Sequence, residues 1–324
     1  MKDSKKMFGL LESVLAVLIL ILAFAMLREQ DGEESGKVSV IIRDSDNSRW
    51  AAFKYGLRMA AQDQGVEMSV VSTDPALTAE DERNMIRQEL ENGADAVILQ
   101  PAPGEGAEDM LKWLEKKGTA VLVEDTVPKD GEQPGLPAVK PDDLAMGSAL
   151  AEKLLEDYNG NVEGKTMGIF SEAGTFCSSS EREAGFCAAM ETCGAEVVWS
   201  VAEAAGESGQ ELLEELPKVD FVIALDDSSL TLAGKAAAAN NLHGALVYGI
   251  GHSTEAVYYL DTGFVRCLVV PDEFNEGYQS LTEAAEGMRH FFRKPQGRTI
   301  SFTALRRENI FSKENQEILF TMSQ

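Results

Sequence analysis

From Lys37 onward, short apolar runs alternate with stretches in which apolar residues recur at helical spacing. The first run, Val38–Ile42, is rich in β-branched residues and flanked by polar ones, as expected of a strand buried in a mostly parallel sheet. Asp44–Asn47 supply turn and N-cap chemistry. Trp50, Phe53, Leu57 and Ala60 then fall at i, i+3, i+7 and i+10, the stripe of a helix lying on that sheet. Gly65, able to take positive φ, closes the helix. The alternation continues with a strand over 66–72 and a helix capped by Thr78, with Asp81 three residues on, that ends at Gly93. A strand over 96–100 runs into Pro101-Ala102-Pro103-Gly104, a helix stops at Gly118, and a strand covers 120–123. Such spacing implies right-handed crossovers and a parallel sheet.

Between Thr126 and Pro141 the periodicity stops in a segment rich in Pro, Gly and charge, the expected crossing between two lobes. Either Asp142 or Asp143 caps the next helix, through Met146, Leu150 and Leu154. A second series follows, with strands over 166–170, 196–200, 221–225, 245–250 and 265–270 and helices between them. A long helix from Pro271-Asp272 to about Phe292 and a late strand over 299–303 bring two further breaks that read as crossings. Residues 305–324 form a tail that either packs or frays. The pattern predicts two similar α/β halves, an N-terminal lobe of residues 37–140 and 271–297 and a C-terminal lobe of residues 141–270 and 298–324.

Ahead of the first strand, Lys2, Lys5 and Lys6 precede Phe8–Leu27, which is almost wholly apolar apart from Glu12 and Ser13. At roughly 20 residues it is long enough to cross a bilayer, and predicts one N-terminal transmembrane helix. The lysines before it and Glu29, Asp31, Glu33 and Glu34 after it predict the amino terminus inside and the folded part outside the cytoplasm. Ala23-Phe24-Ala25 offers a small-x-small cleavage site, yet no polar region precedes it and no cysteine follows to accept a lipid. An uncleaved anchor over residues 8–27 is therefore favoured over a cleaved and secreted form. Gln30–Gly36 is a short acidic tether, so residues 1–36 form the anchor or signal segment with its tether.

Asp and Glu number 54 against 29 Lys and Arg, a net charge of −25. Such a surface repels phosphate backbones, so no nucleic-acid partner is expected. The four cysteines form no CxxC pair and only three histidines accompany them, which disfavours a zinc site; no EF-hand spacing is present. Neither a metal nor a cofactor is expected. Cys187 and Cys193 either bridge around a helix end or stay as buried thiols.

In open α/β sheets ligands bind beyond the carboxyl ends of strands. Arg43, Asp44, Asn47 and Trp50 stand there after the first strand, and Glu124 and Asp125 after the fourth. The succession DSDNSRWAAFKYGLRMAAQDQG, ADAVILQPA, VLVEDTVP, PDDLAMGSALAEKL, SSEREAGF, VIALDDSSLTLAGKAA and VYGIG followed by VVPDEFNEGY spans roughly Lys37 to Thr303. In order and spacing it resembles the type I periplasmic sugar-binding protein family, relatives of ribose-binding protein and of LacI-like repressors.

The resemblance implies two doubly wound parallel-sheet lobes joined by three hinge strands that close on a small ligand. It implies aromatic faces stacking on a sugar ring and charged or amide groups bonding its hydroxyls. Arg43, Asn47 and Trp50 match the family's contacts after the first strand, Gln100 the amide after the third, and Asp226 the Asn or Asp after the second lobe's third long strand. Arg182, in EREAGF, matches an arginine that forks onto adjacent hydroxyls or a carboxylate. Glu124 and Asp125 depart from an acid followed by arginine; Gly251, beside His252, replaces a common aspartate, and Pro271 a frequent glutamine. Those losses make ribose itself a poor candidate. Plainer readings stand beside these: Trp50 in the core stripe, Arg182 paired with Glu183 or Glu172, Glu124 capping a neighbouring helix, and His252 as an ordinary loop histidine.

No G-x-S-x-G, GxxxxGK[ST], HExxH or strand-borne GxGxxG is present, and no enzyme is expected. Glycoside hydrolysis by Glu124 and Asp226 would require a separation that sequence does not show. The expectation is an extracytoplasmic solute-binding protein that captures a small carbohydrate and presents it to an ABC-type permease. The alternative is a membrane-tethered sensor read by a receptor or histidine kinase. Arg182→Ala is expected to abolish ligand-induced stabilisation and leave the unliganded melt nearly unchanged.

Overall fold

The computed structural model describes residues 36–74, 76–117, 119–124, 135–172, 177–203, 207–289, 294–313 and 315–322. The expected anchor over 8–27 lies outside the described residues; among those described, no helix is long and apolar enough to cross a membrane.

The first sheet has four parallel strands in the order β2-β1-β3-β4: β1 (Lys37–Arg43), β2 (Glu67–Thr73), β3 (Ala96–Leu99) and β4 (Thr119–Leu122). Helices α1 (Ala51–Gln64), α2 (Ala79–Glu91) and α3 (Ala107–Glu115) connect them. After β5 (Val139–Pro141) come α4 (Asp143–Asp157), β6 (Thr166–Glu172), α5 (Cys177–Met190), β7 (Glu196–Glu203), α6 (Glu207–Glu215) and β8 (Phe221–Ala224). The chain continues through α7 (Asp227–Ala238), β9 (Leu246–Ile250), α8 (Thr254–Thr262) and β10 (Val265–Pro271). It then runs through α9 (Glu273–Arg289), β11 (Arg298–Ile300), β12 (Phe302–Leu305) and α10 (Gln316–Met322). The second sheet has six strands in the order β12-β10-β9-β8-β6-β7, all parallel except β12, which pairs antiparallel with β10.

The near-continuous apolar runs find their reason here. Val38, Val40, Ile41 and Ile42 of β1 are all fully buried, because helices cover both faces of the sheet. Helix boundaries follow side-chain chemistry: Thr78 accepts from the Asp81 amide, and Gly65 ends α1 at φ 60°. Asp142, not Asp143, caps α4 by accepting from the Ala145 amide, which frees Asp143 for another use.

Two helix crossings set the geometry of the site. At Gly277 of α9 an added Cβ would stand 2.1 Å from the Phe53 carbonyl oxygen on α1, and at Gly147 of α4 it would stand 1.9 Å from the Arg182 carbonyl oxygen on α5. Only glycine permits backbones to approach this closely. Thus α9, far along the chain, belongs with the first sheet.

The expected strand over 299–303 is two strands broken at Ser301, since β11 pairs with β5 and β12 joins the second sheet. Between the two sheets runs a two-stranded parallel β5–β11 ribbon in place of the expected three hinge strands, and the remaining crossing, at Pro271–Asp272, is tied to it by the Asp272 amide donating to the Ser301 carbonyl (2.9 Å). The tail packs: Ile310 is fully buried in the second sheet's core, and Phe320 of α10 stands edge-on to Tyr55 of α1 at 6.4 Å. Cys187 and Cys193 are half-buried free thiols.

Candidate functional site: a closed polar cleft

Strand order reverses between β1 and β3 in the first sheet and between β6 and β8 in the second. Residues just beyond the carboxyl ends of these strands line a single cavity of about 130 Å³, at the place where open α/β sheets bind ligands. At about 10–15 Å³ per water-sized group, it has room for roughly ten such groups, the size of a monosaccharide.

The structure brings Arg43, Trp50, Gln100, Glu124, Arg182, Asp226 and His252 together around this cavity. From the first lobe, Gln100 accepts from the Arg43 amide (3.0 Å) and donates to Glu124 (2.7 Å), a relay fixing both polar side chains. Burial pushes the Glu124 carboxyl up, against the hydrogen bonds from Gln100 and Ser178 and the nearby Arg182 and Arg43 guanidiniums. Burial likewise lowers the Arg43 guanidinium. Trp50 packs edge-to-face on Phe53 (5.3 Å) in the core, as its place in the apolar stripe implies, and it also borders the cavity with its indole N–H bonded to the Arg43 carbonyl (2.8 Å). The Arg49 guanidinium lies over its ring, 5.1 Å from the centroid.

From the second lobe, Arg182 donates through Nε to Asp143 (2.8 Å) and through Nη1 to the Leu225 carbonyl (2.9 Å). Its partner is therefore Asp143, neither Glu183 nor Glu172. Burial opposes its charge, but Asp143 outweighs that and holds the guanidinium above its ordinary value. Asp226 caps α7, accepting from the amides of Ser229 (2.8 Å) and Glu172 (2.6 Å).

Asp44 and Asn47 do not line the cavity. Both are exposed: Asp44 takes a left-handed turn position (φ 48°) directly after β1, and Asn47 caps the 3₁₀ turn over Ser48–Trp50 by accepting from the Arg49 amide. Asp125 lies outside the described residues. Arg49, which with Arg43 and Arg182 would suit an acidic sugar, also borders the cavity; sequence reasoning missed Asp143, Glu172, Ser178, Glu273 and Glu276, which border it too. Glu273 and Glu276 had a signal: they sit in the first turn of the helix after β10, just past a strand's carboxyl end. Across the cleft, Ser178 donates to Glu124 (2.9 Å) and His252 Nδ1 stands 3.0 Å from Glu273, so the lobes touch directly and the cleft is closed.

The sequence profile described as periplasmic binding protein domain matches residues 38–288. The chain belongs to that family. Several solved structures share its architecture. A carbohydrate-transporter solute-binding protein from Agrobacterium radiobacter in complex with D-arabinose is 17% identical, with a TM-score of 0.76 over 89% of this chain and 99% of its own. A Caulobacter myo-inositol binding protein bound to myo-inositol is 18% identical, with a TM-score of 0.73 over 87% and 97%. A XylFII–LytSN complex matches at 14% identity and a TM-score of 0.70 over 85% and 98%. At these identities the likeness is one of fold. No curated protein matches the chain.

One support behind the cleft carries a charge cost. Glu82, only 1% exposed, accepts from the Ala102 amide (2.9 Å) and so holds the loop that follows Gln100; burial pushes its carboxyl up to about 7. The folded state thus keeps a proton that the unfolded chain releases near pH 4.3, and stability falls as pH rises between there and about 7. Above that range the cost is fully present, at up to about 3 kcal/mol. Glu82→Gln is expected to melt above the parent at pH 8 and not at pH 4; equal shifts at both values would show that Glu82 titrates normally.

Proposed function

We propose that the protein is an extracytoplasmic solute-binding protein that captures a small carbohydrate between its lobes and hands it to an ABC-type sugar permease. The observation that carries this reading is the closed, monosaccharide-sized cavity walled from both lobes by fixed amide, guanidinium and carboxylate groups. A desolvated hydroxyl needs such partners or costs affinity. In this reading Arg43, Gln100 and Arg182 bond hydroxyls and Trp50 shields one ring face, whereas Asp226 serves through its cap. Closure gains contacts from both lobes that an open cleft offers from one, and this difference drives the hinge. The family's placement outside the cytoplasm agrees with the anchor proposed for residues 8–27.

A thermal-shift screen across pentoses, hexoses, uronates, inositols and nucleosides tests the proposal. A ligand at a hundredfold excess over its Kd stabilises by about 2.7 kcal/mol, a rise of several degrees in Tm. If no carbohydrate raises Tm, the reading fails.

A second reading, a membrane-tethered sensor, is favoured by the apolar Phe8–Leu27 segment with no lipid-accepting cysteine after it. Protein purified from membranes should then retain Met1 and carry a receptor or kinase; a co-purifying permease decides for transport.

A further inference from the structure

The cleft holds more carboxylates than its own groups satisfy, and the surplus sits at one place. Asp226 is occupied by two backbone amides, and Asp227 accepts from the amides of His252 and Ser253 (both 2.8 Å). Asp143 holds Arg182 and lies 3.5 Å from Lys140. Glu124 accepts from Gln100 and Ser178, and Glu172 from Ser228 (3.1 Å). What remains is the first turn of α9, where Glu273 and Glu276 stand one turn apart on the face bordering the cavity.

Glu273 is 8% exposed; one of its oxygens meets His252 and the other, Oε2, is buried without any hydrogen-bond partner. Glu276 is 7% exposed, and its carboxylate makes no hydrogen bond or ion pair among the described residues. The Arg49 and Arg182 guanidiniums act on this pair from a distance, against Asp227, Asp143 and Glu124. Burial, and then Glu273 beside it, drive the Glu276 carboxyl well above its ordinary value. Two buried neighbouring carboxylates whose one partner is His252, on a single Glu273 oxygen, are costly, and a binding site retains them when the ligand brings what they lack.

A sugar hydroxyl brings one donor and no charge. An ammonium brings three donors and the missing positive charge, enough to serve the Glu273 and Glu276 carboxylates together. We propose that the cleft selects a carbohydrate bearing a free amino group, an amino sugar or amino polyol. Its ammonium is held by Glu273 and Glu276 on α9, while its hydroxyls meet Gln100, Arg43 and Arg182. This inference rests on the carbohydrate-binding reading and narrows it.

The test is calorimetric titration of the full chain at about pH 6.5, where sugar amines are protonated. The probes are D-glucosamine and D-galactosamine against D-glucose, D-galactose and the N-acetylated amines, repeated with Glu276→Gln. That variant replaces a buried carboxyl that has no donor, so its unliganded melt should equal or exceed the parent's, and a lost affinity cannot be laid to misfolding. The expected result is an amine bound at least ~10-fold more tightly than both its neutral parent and its N-acetyl form, with Glu276→Gln cutting the amine's affinity ~10- to 100-fold. Neutral parents bound as tightly as the amines, or an amine preference untouched by Glu276→Gln, would overturn the inference and leave the carbohydrate reading standing. If no sugar of any kind binds, both fall.

Discussion

Arg182→Ala is expected to lower the stability of the unliganded protein by about 3 kcal/mol and to remove carbohydrate binding with it. Breaking a buried ion pair costs about 3–5 kcal/mol because the surviving charge is left uncompensated. Asp143, 3% exposed, would be that charge, and Lys140 at 3.5 Å offers it partial relief, which puts the loss at the lower end. The Leu225 carbonyl also loses its donor at the end of β8. This replaces the expectation from sequence, in which the unliganded melt stayed put: the arginine that borders the cleft also holds α5 to the start of α4. The two roles separate in a double variant. Arg182→Met with Asp143→Asn removes both charges and keeps the volume, so it should regain most of the stability in a denaturant titration while binding stays lost. A single variant that melts with the parent would show that the pair contributes nothing, and a double variant that binds would remove Arg182 from the ligand's partners.

Arg182 also marks the limit of what the sequence conveyed. The strand after Lys37, the caps at Thr78 and Gly65 and the second series of elements were legible because each is written in local pattern: apolar runs for strands buried on both faces, and turn residues at their ends. Cleft residues directly after a strand, Arg43, Gln100, Glu124 and Asp226, were legible for the same reason, since topology alone carries them to the crevice. Asp44 and Asn47 stand outside the cavity, Asp44 at a left-handed turn position (φ 48°) and Asn47 spent on capping the 3₁₀ turn, local details that pattern does not resolve. Asp143 was missed because its pairing with Arg182 depends on a helix crossing between segments distant in sequence, whereas Glu273 and Glu276 followed a strand like the others and were overlooked; the expected late strand proved to be two because Ser301 breaks a run that reads as one.

That crossing makes Gly147→Ala the other variant with a large expected effect. Alanine is the better helix former by about 1 kcal/mol, so propensity alone would raise Tm. Against it, the new Cβ would lie 1.9 Å from the Arg182 carbonyl oxygen and 2.9 Å from the Phe186 amide nitrogen. Both are backbone atoms, which no rotamer change can move aside. Restoring van der Waals separation requires α4 and α5 to part by roughly 1.5 Å. Met146, Leu150 and Phe186, all fully buried at this junction, would lose their packing. The net cost is expected on the order of 3 kcal/mol, the upper range for overpacking, so the clash prevails over propensity. The displacement falls on the segment that bears Arg182, and carbohydrate affinity should fall even where the variant is folded. A Gly147→Ala protein that melts above the parent and binds sugar unchanged would mean that the helices do not meet at this distance, and that the wall of the cleft formed by α5 is set elsewhere.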